Sequence, residues 1–205
     1  MPARRMREAR REVSASAQRT AWNAPPAREK LSAGERAHVR FGVVRILGID
    51  PGSVRCGYGV VERLAAGRVR YVECGVVEAR ATAPLHLRLV EIGAGLREVI
   101  GELRPHVVAV EGVFHGQNAR SALQLGHARG VALLVCGESA LGVSEYAPAT
   151  VKRAVAGSGR ATKEQVLRMV RMLCALDGSP KLDASDALAV AICHAFSTKV
   201  RVGQA

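Results

Sequence analysis

The pattern of hydrophobic and polar positions divides the chain near residue 43. Residues 1–42 show no sustained apolar periodicity; they are rich in Arg and Ala, contain Pro25-Pro26 and hold the single tryptophan, Trp22. From Val43 onward, short apolar runs alternate with turn residues. Arg45–Asp50 is an apolar run closed by an acid, Gly57–Arg63 follows it, and Arg68–Val77 is a third run rich in Val and Tyr. The loop Asp50-Pro51-Gly52-Ser53 and Gly67 supply the turn chemistry of adjacent antiparallel strands. Leu85, Leu89, Ile92, Leu96, Val99 and Leu103 then recur at steps of three and four, which predicts an amphipathic helix that stops before Pro105. Val107–Glu111 reads as a buried strand closed by a second acid.

A second helix is expected from about Gln117 to Cys136, with Leu123, His127, Val131 and Leu134 along one face. Gly142–Tyr146 predicts a fifth strand, Pro148 opens a helical stretch to about Val155, and Gly157-Ser158-Gly159 breaks it. Thr162 with Gln165 makes a T-x-x-Q capping box for a helix to about Leu176. The last helix is expected from about Asp183 to Phe196; its segment Ala187–Cys193 is apolar on every side and therefore buried. This order predicts an α/β fold, a mixed five-stranded sheet flanked by helices, in one domain over residues 43–200.

Composition narrows the classes. With 48% hydrophobic residues in 205, wholesale disorder is excluded. The longest apolar run, Ala187–Cys193, is far short of the roughly 20 residues of a membrane helix. The five cysteines are widely spaced and form no C-x-x-C, which argues against a zinc site or disulfide framework and for a reducing compartment, the cytoplasm. A net charge of +12 points to a polyanionic partner. That charge is unevenly spread: residues 1–40 carry 10 Arg or Lys against four Glu. Residues 1–42 accordingly read as a basic disordered arm or as a stretch not translated in the natural protein. The second reading is favoured because the motif-bearing region begins abruptly at Val44, and a GTG codon is an alternative bacterial start. Finding residues 1–40 by N-terminal sequencing of the natural protein would overturn it.

Four carboxylates carry the chemistry. Asp50 and Glu111 end strands, and Asp183 and Asp186 share one face at the start of the last helix. Brought together, such acids raise one another's pKa, and a hard divalent cation such as Mg²⁺ or Mn²⁺ removes that penalty. Two ions a few Å apart would suit phosphodiester hydrolysis. Each acid also has a plain structural reading: Asp183 or Asp186 alone serves as a helix-start acid, and Asp-Pro-Gly is a common turn. The spacing leaves both readings open.

The segments that hold these acids resemble one family. Ile46-Leu47-Gly48-Ile49-Asp50-Pro51-Gly52-Ser53 with Gly57-Tyr58-Gly59-Val60 is similar to the opening of RuvC, the bacterial Holliday junction resolvases. Val110-Glu111-Gly112-Val113-Phe114, Asn118-Ala119-Arg120-Ser121-Ala122-Leu123, Leu125-Gly126-His127-Ala128-Arg129-Gly130-Val131 and Asp183-Ala184-Ser185-Asp186-Ala187-Leu188-Ala189 agree in order and spacing. The resemblance covers roughly residues 44–196 and departs from the family at the N-terminal arm. It implies an RNase H-like fold, a homodimer, Mg²⁺-dependent cleavage of four-way DNA junctions, and Asp50, Glu111, Asp183 and Asp186 as catalytic metal ligands. RuvA and RuvB, the branch-migration proteins, are implied partners. An actin-like phosphotransferase shares the strand–Asp–Gly opening but needs about twice the length. An RNA-processing nuclease of the RNase H-like class is the nearer alternative, and Phe114 with the 118–123 stretch favours the junction enzyme.

The resemblance also weights the supporting residues. Lys152 and Lys163, otherwise read as solvated lysines on helix edges, become DNA-contact candidates. Phe114, otherwise a core aromatic, becomes a base-stacking residue, with Asn118 and Arg120 as DNA contacts beside it. Gly126 and Gly130 form G-x-x-x-G, which permits close helix approach. In the family this helix forms the dimer interface, so Leu123, Gly126, His127 and Gly130 are interface candidates. His115, His127 and His194 have no companion at metal-ligand spacing.

Overall fold

The computed structural model describes residues 43–112 and 119–198. The arm 1–42, Phe114, His115, Asn118 and the domain's last expected residues lie outside the described residues, and of Arg120 only the backbone is described. The chain runs β1 (Val44–Asp50), β2 (Arg55–Arg63), β3 (Val69–Glu78), α1 (Leu85–Leu103), β4 (Val107–Glu111), α2 (Ala119–Glu138), β5 (Gly142–Tyr146), α3 (Pro148–Ala156), α4 (Lys163–Cys174) and α5 (Leu182–Ser197). A single 3-10 turn, Ala65–Gly67, joins β2 to β3.

The five strands form one sheet in the order β3-β2-β1-β4-β5. β1, β2 and β3 pair antiparallel, whereas β1, β4 and β5 run parallel. This is the mixed, helix-flanked, RNase H-like sheet expected from the sequence. As a central strand, β1 is apolar on both faces. Ile46 packs with α3, α4 and α5 on one side; Leu47 and Ile49 pack with α1 and α2 on the other. Two cores result. One joins Leu188 and Ile192 of α5 to Val151, Val166 and Val170; the second joins Ile92 and Leu96 of α1 to Val135 of α2.

Missing side chains on β1 and β2 set the seat of α5. A Cβ at Gly57 would run into the Asp183 carbonyl, one at Gly48 into the Ala187 carbonyl, and one at Gly59 into Leu188. The helix therefore lies closer to the sheet than any residue with a Cβ would allow. The capping box at Thr162 is formed in both directions, as its sequence predicts.

Helix α2 forms where the sequence predicts a helix. Its buried residues are Ala128, Ala132, Val135 and Cys136, while Leu123 and Leu134 are 63% and 53% exposed and His127 is exposed. Ala128 and Ala132 pack inward with Val135 and Cys136, Val131 and Leu133 pack beside them, and Leu123 and Leu134 turn outward. At the end of the sheet remote from Asp50, buried Glu62 accepts hydrogen bonds from Arg45 and Arg70. Burial pushes its carboxyl up, and the two guanidinium groups outweigh that and hold it below its ordinary range. All five cysteines are free; Cys56, Cys136, Cys174 and Cys193 are buried and Cys74 is partly so.

Candidate active site

Parallel pairing brings the strand-end acids to one edge. Ile49 of β1 is in register with Val110 of β4, so Asp50 and Glu111 both follow at the same end of the sheet. Asp50 faces Gly57 across the β1–β2 ladder, and Gly57 is where the Asp183 carbonyl rests. The tight seat of α5 thus delivers Asp183 and Asp186 to the Asp50–Glu111 edge.

Asp50 lies within reach of the charges of the other three acids. The Asp50 carboxyl is raised to about 7, first by burial, then by the charges of Glu111, Asp186 and Asp183, with Lys163 opposing. Glu111 is also raised, by burial and by Asp186, against the pull of Lys163 and Lys152. Lys163, the first residue of α4, places its Nζ 3.5 Å from Asp186 Oδ2. Glu111, Lys152, Lys163 and Asp186 line a cleft of about 240 Å³, floored by Pro148, Val151, Val166 and Ala189. Six of the expected site residues therefore gather at one place: the four acids and both lysines.

Among the described residues, no three His, Cys, Asp or Glu side chains stand close enough to enclose one ion. Two of the acids are drawn to cations instead: Asp186 to Lys163, and Asp183 to Arg55, whose Nε lies 2.8 Å from Asp183 Oδ2. The donor chemistry nevertheless fits a hard divalent cation. All the donors are carboxylate oxygens, and a partly buried Asp50 whose ionisation is opposed by three neighbours calls for added positive charge.

Arg55 has no assigned role in the sequence reading. Its signal is strand parity: Arg55, Gly57 and Gly59 are spaced by two along β2, so Arg55 shares the face on which the glycines meet α5. Tyr146 Oη and His194 Nδ1 are hydrogen-bonded at 2.9 Å. Leu123, Gly126, His127 and Gly130 all lie on α2, and nothing stands within 4 Å of a Cβ placed at either glycine. No helix among the described residues is long and apolar enough to cross a membrane.

Comparison with known proteins agrees with this geometry. The family "Crossover junction endodeoxyribonuclease RuvC" matches residues 46–194. A crossover junction endodeoxyribonuclease RuvC from Halorhodospira halophila is 54% identical over 154 residues, which cover 75% of this chain and 90% of that protein. The solved structure of Thermus thermophilus RuvC in complex with a Holliday junction substrate aligns with a TM-score of 0.71 at 38% identity, covering 75% of this chain and 93% of that one. A yeast mitochondrial Holliday junction resolvase shares the fold, with a TM-score of 0.54 at 14% identity, over 80% of this chain and 87% of that one. The matched span of the family contains all five strands beyond the first two residues of β1, together with all four acids. On that extent of agreement, the chain belongs to the RuvC family of crossover junction endodeoxyribonucleases.

Proposed function

We propose that the chain resolves four-way DNA junctions by paired symmetric nicks, using Asp50, Glu111, Asp183 and Asp186 as the catalytic group. The observation that carries this reading is the gathering of four acids and two lysines at one edge of the sheet, with Asp50 raised to about 7 by burial and by its acidic neighbours. The four acids would hold Mg²⁺, two ions per subunit, with Mn²⁺ as a substitute. Such ions would supply activation of water and stabilisation of the leaving 3′-oxygen, which would leave 5′-phosphate and 3′-hydroxyl ends.

The chain's own residues supply the rest. Asp50 and Glu111 project from the ends of rigid parallel strands, which fixes their position better than a loop would. Lys163 and Lys152 line the same cleft as Glu111 and Asp186, where ammonium groups would bind a DNA phosphate and offset charge that develops during cleavage. Phe114, Asn118 and Arg120 follow Glu111 in sequence; their assignment to base stacking and DNA contact rests on the family pattern. The exposed α2 stripe of Leu123, Gly126, His127 and Gly130 is suited to a two-fold contact with a second copy. Such a dimer matches a junction that is itself nearly two-fold symmetric and needs two opposed cuts. RuvA and RuvB are the partners the family implies, and the bacterial cytoplasm is the compartment.

The test compares wild type with Asp50→Asn on a synthetic four-way junction and on linear duplex, with and without Mg²⁺. The expected outcome is Mg²⁺-dependent paired nicks on the junction alone, and junction binding without cutting by the variant. Equal cutting of linear duplex, or full activity in the variant, would overturn the proposal.

A further inference from the structure

The cations around the acids fall on two sides of them. Along the sheet edge β1 lies between β2 and β4, so Asp50 has Arg55 on one side and Glu111 on the other. Lys152 and Lys163 share a cleft with Glu111 and Asp186, and that cleft includes neither Arg55 nor Asp183. Gly57 is the ladder partner of Asp50, and Arg55 stands two residues further out on β2. At the rise of a strand, its backbone extends about 7 Å beyond the level of Asp50. Arg55 is 49% exposed, and its contact with Asp183 is an ion pair in which the guanidinium forms no hydrogen bond. Its ladder partner Glu78 accepts a hydrogen bond from Lys181 Nζ at 3.0 Å. Among the described residues, Asp183 alone pairs with Arg55.

We propose that Arg55 is a DNA-backbone contact: its guanidinium takes a phosphate of the cleaved strand on the β2 side of the acids, opposite Lys152 and Lys163. The inference rests on the proposed junction cleavage and adds a second grip to that site. Exposed ion pairs are weak, so Arg55 exchanges a carboxylate oxygen for a phosphate readily. Arginine then gains two parallel N–H donors to the phosphate oxygens. Each DNA strand carries one phosphate per ~3.4 Å of helix axis, and β2 and β4 are about 10 Å apart. A strand lying over the acids therefore presents about three phosphates across that distance. Held by the lysines alone, such a strand can pivot about them; held on both sides, it is fixed over Asp50.

The competing account is that Arg55 only screens Asp183, and the two differ once Asp183 carries no charge. Binding of a labelled four-way junction to the full chain is followed by fluorescence anisotropy without divalent ions, between about 50 and 200 mM salt. The proteins compared are wild type, Arg55→Gln, Arg55→Lys, Asp183→Asn and the double variant Arg55→Gln/Asp183→Asn. Arg68→Gln, which removes the same charge from an exposed site in the β2–β3 turn, is the control. Arg55→Gln is expected to weaken junction binding about tenfold. It should also lower the slope of log affinity against log salt by about one. Arg55→Lys keeps the charge and should recover the slope and part of the affinity. The loss caused by Arg55→Gln should persist in the Asp183→Asn background. If Arg55→Gln does no more than Arg68→Gln, or if its effect vanishes beside Asp183→Asn, the contact is wrong, and junction binding by wild type leaves the proposed function standing. If wild type itself binds the junction no more tightly than linear duplex, the junction reading fails and this contact fails with it.

Discussion

Asp50 stands between two demands on one side chain. Placement beside Glu111, Asp183 and Asp186 suits it to cation chemistry, yet burial first and those charges second oppose its ionisation and raise its carboxyl from 3.8 to about 7. In the folded chain the proton is therefore held more tightly than in the unfolded one. Its contribution to stability is fully present below pH 3.8 and disappears as the pH rises through about 7. Without divalent ions, the melting temperature of wild type should fall between pH 5 and pH 8, whereas Asp50→Asn should flatten that fall and melt a few degrees higher at pH 8. For a domain of this size, about 1 kcal/mol corresponds to roughly 2–4 °C. Added Mg²⁺ should raise the wild-type melting temperature at pH 8 and have much less effect on the variant. Calorimetry across this range decides the matter, and identical profiles for the two proteins would contradict the raised carboxyl.

At the scale of elements, the contact between α5 and β2 couples packing to chemistry. Gly57 lies under Asp183, so Gly57→Ala has no room unless the start of the helix moves. Displacing reacting groups by about 1 Å costs roughly 100-fold in rate. Gly57→Ala should therefore lose nicking by about that factor while keeping junction binding, at a stability cost of about 1–3 kcal/mol; rate and binding assays on the same preparation separate the two. Much of this arrangement is legible in the sequence because it depends on local rules. Apolar runs ending in Asp50 and Glu111 mark central strands, Thr162 and Gln165 announce the start of α4, and the unbroken apolar stretch after Asp186 marks a buried helix. The outward face of α2 is not legible from periodicity, only from the family resemblance, because Ala128 and Ala132 pack inward as well as larger residues do. Arg55 is equally hidden: its meaning depends on which side of β2 receives α5, a fact of tertiary pairing rather than of spacing.

For the whole molecule, the two ends of the sheet have separate tasks. The Arg45–Glu62–Arg70 cluster closes the end remote from Asp50, and the four acids lie at the other, so the proposed site and this ion-pair cluster use different residues. The outward stripe of α2 adds a third region, and in the proposed dimer it would couple the two cuts. Leu123→Glu should shift the protein from dimer to monomer in sedimentation velocity, and on a supercoiled plasmid carrying a junction it should replace paired cuts with single nicks. An unchanged sedimentation coefficient would exclude this face as the interface. The thiol chemistry of the molecule follows from its interior. Burial pushes Cys56 up to about 12 and Cys136 and Cys174 up to about 11, and raises Cys74 and Cys193 as well. At neutral pH the native protein thus presents almost no thiolate to a maleimide. A single cysteine introduced in the exposed β2–β3 turn, at Ala65, would carry a fluorophore almost alone, far from the acids, so that the arrival and departure of individual molecules on a junction could be followed by light.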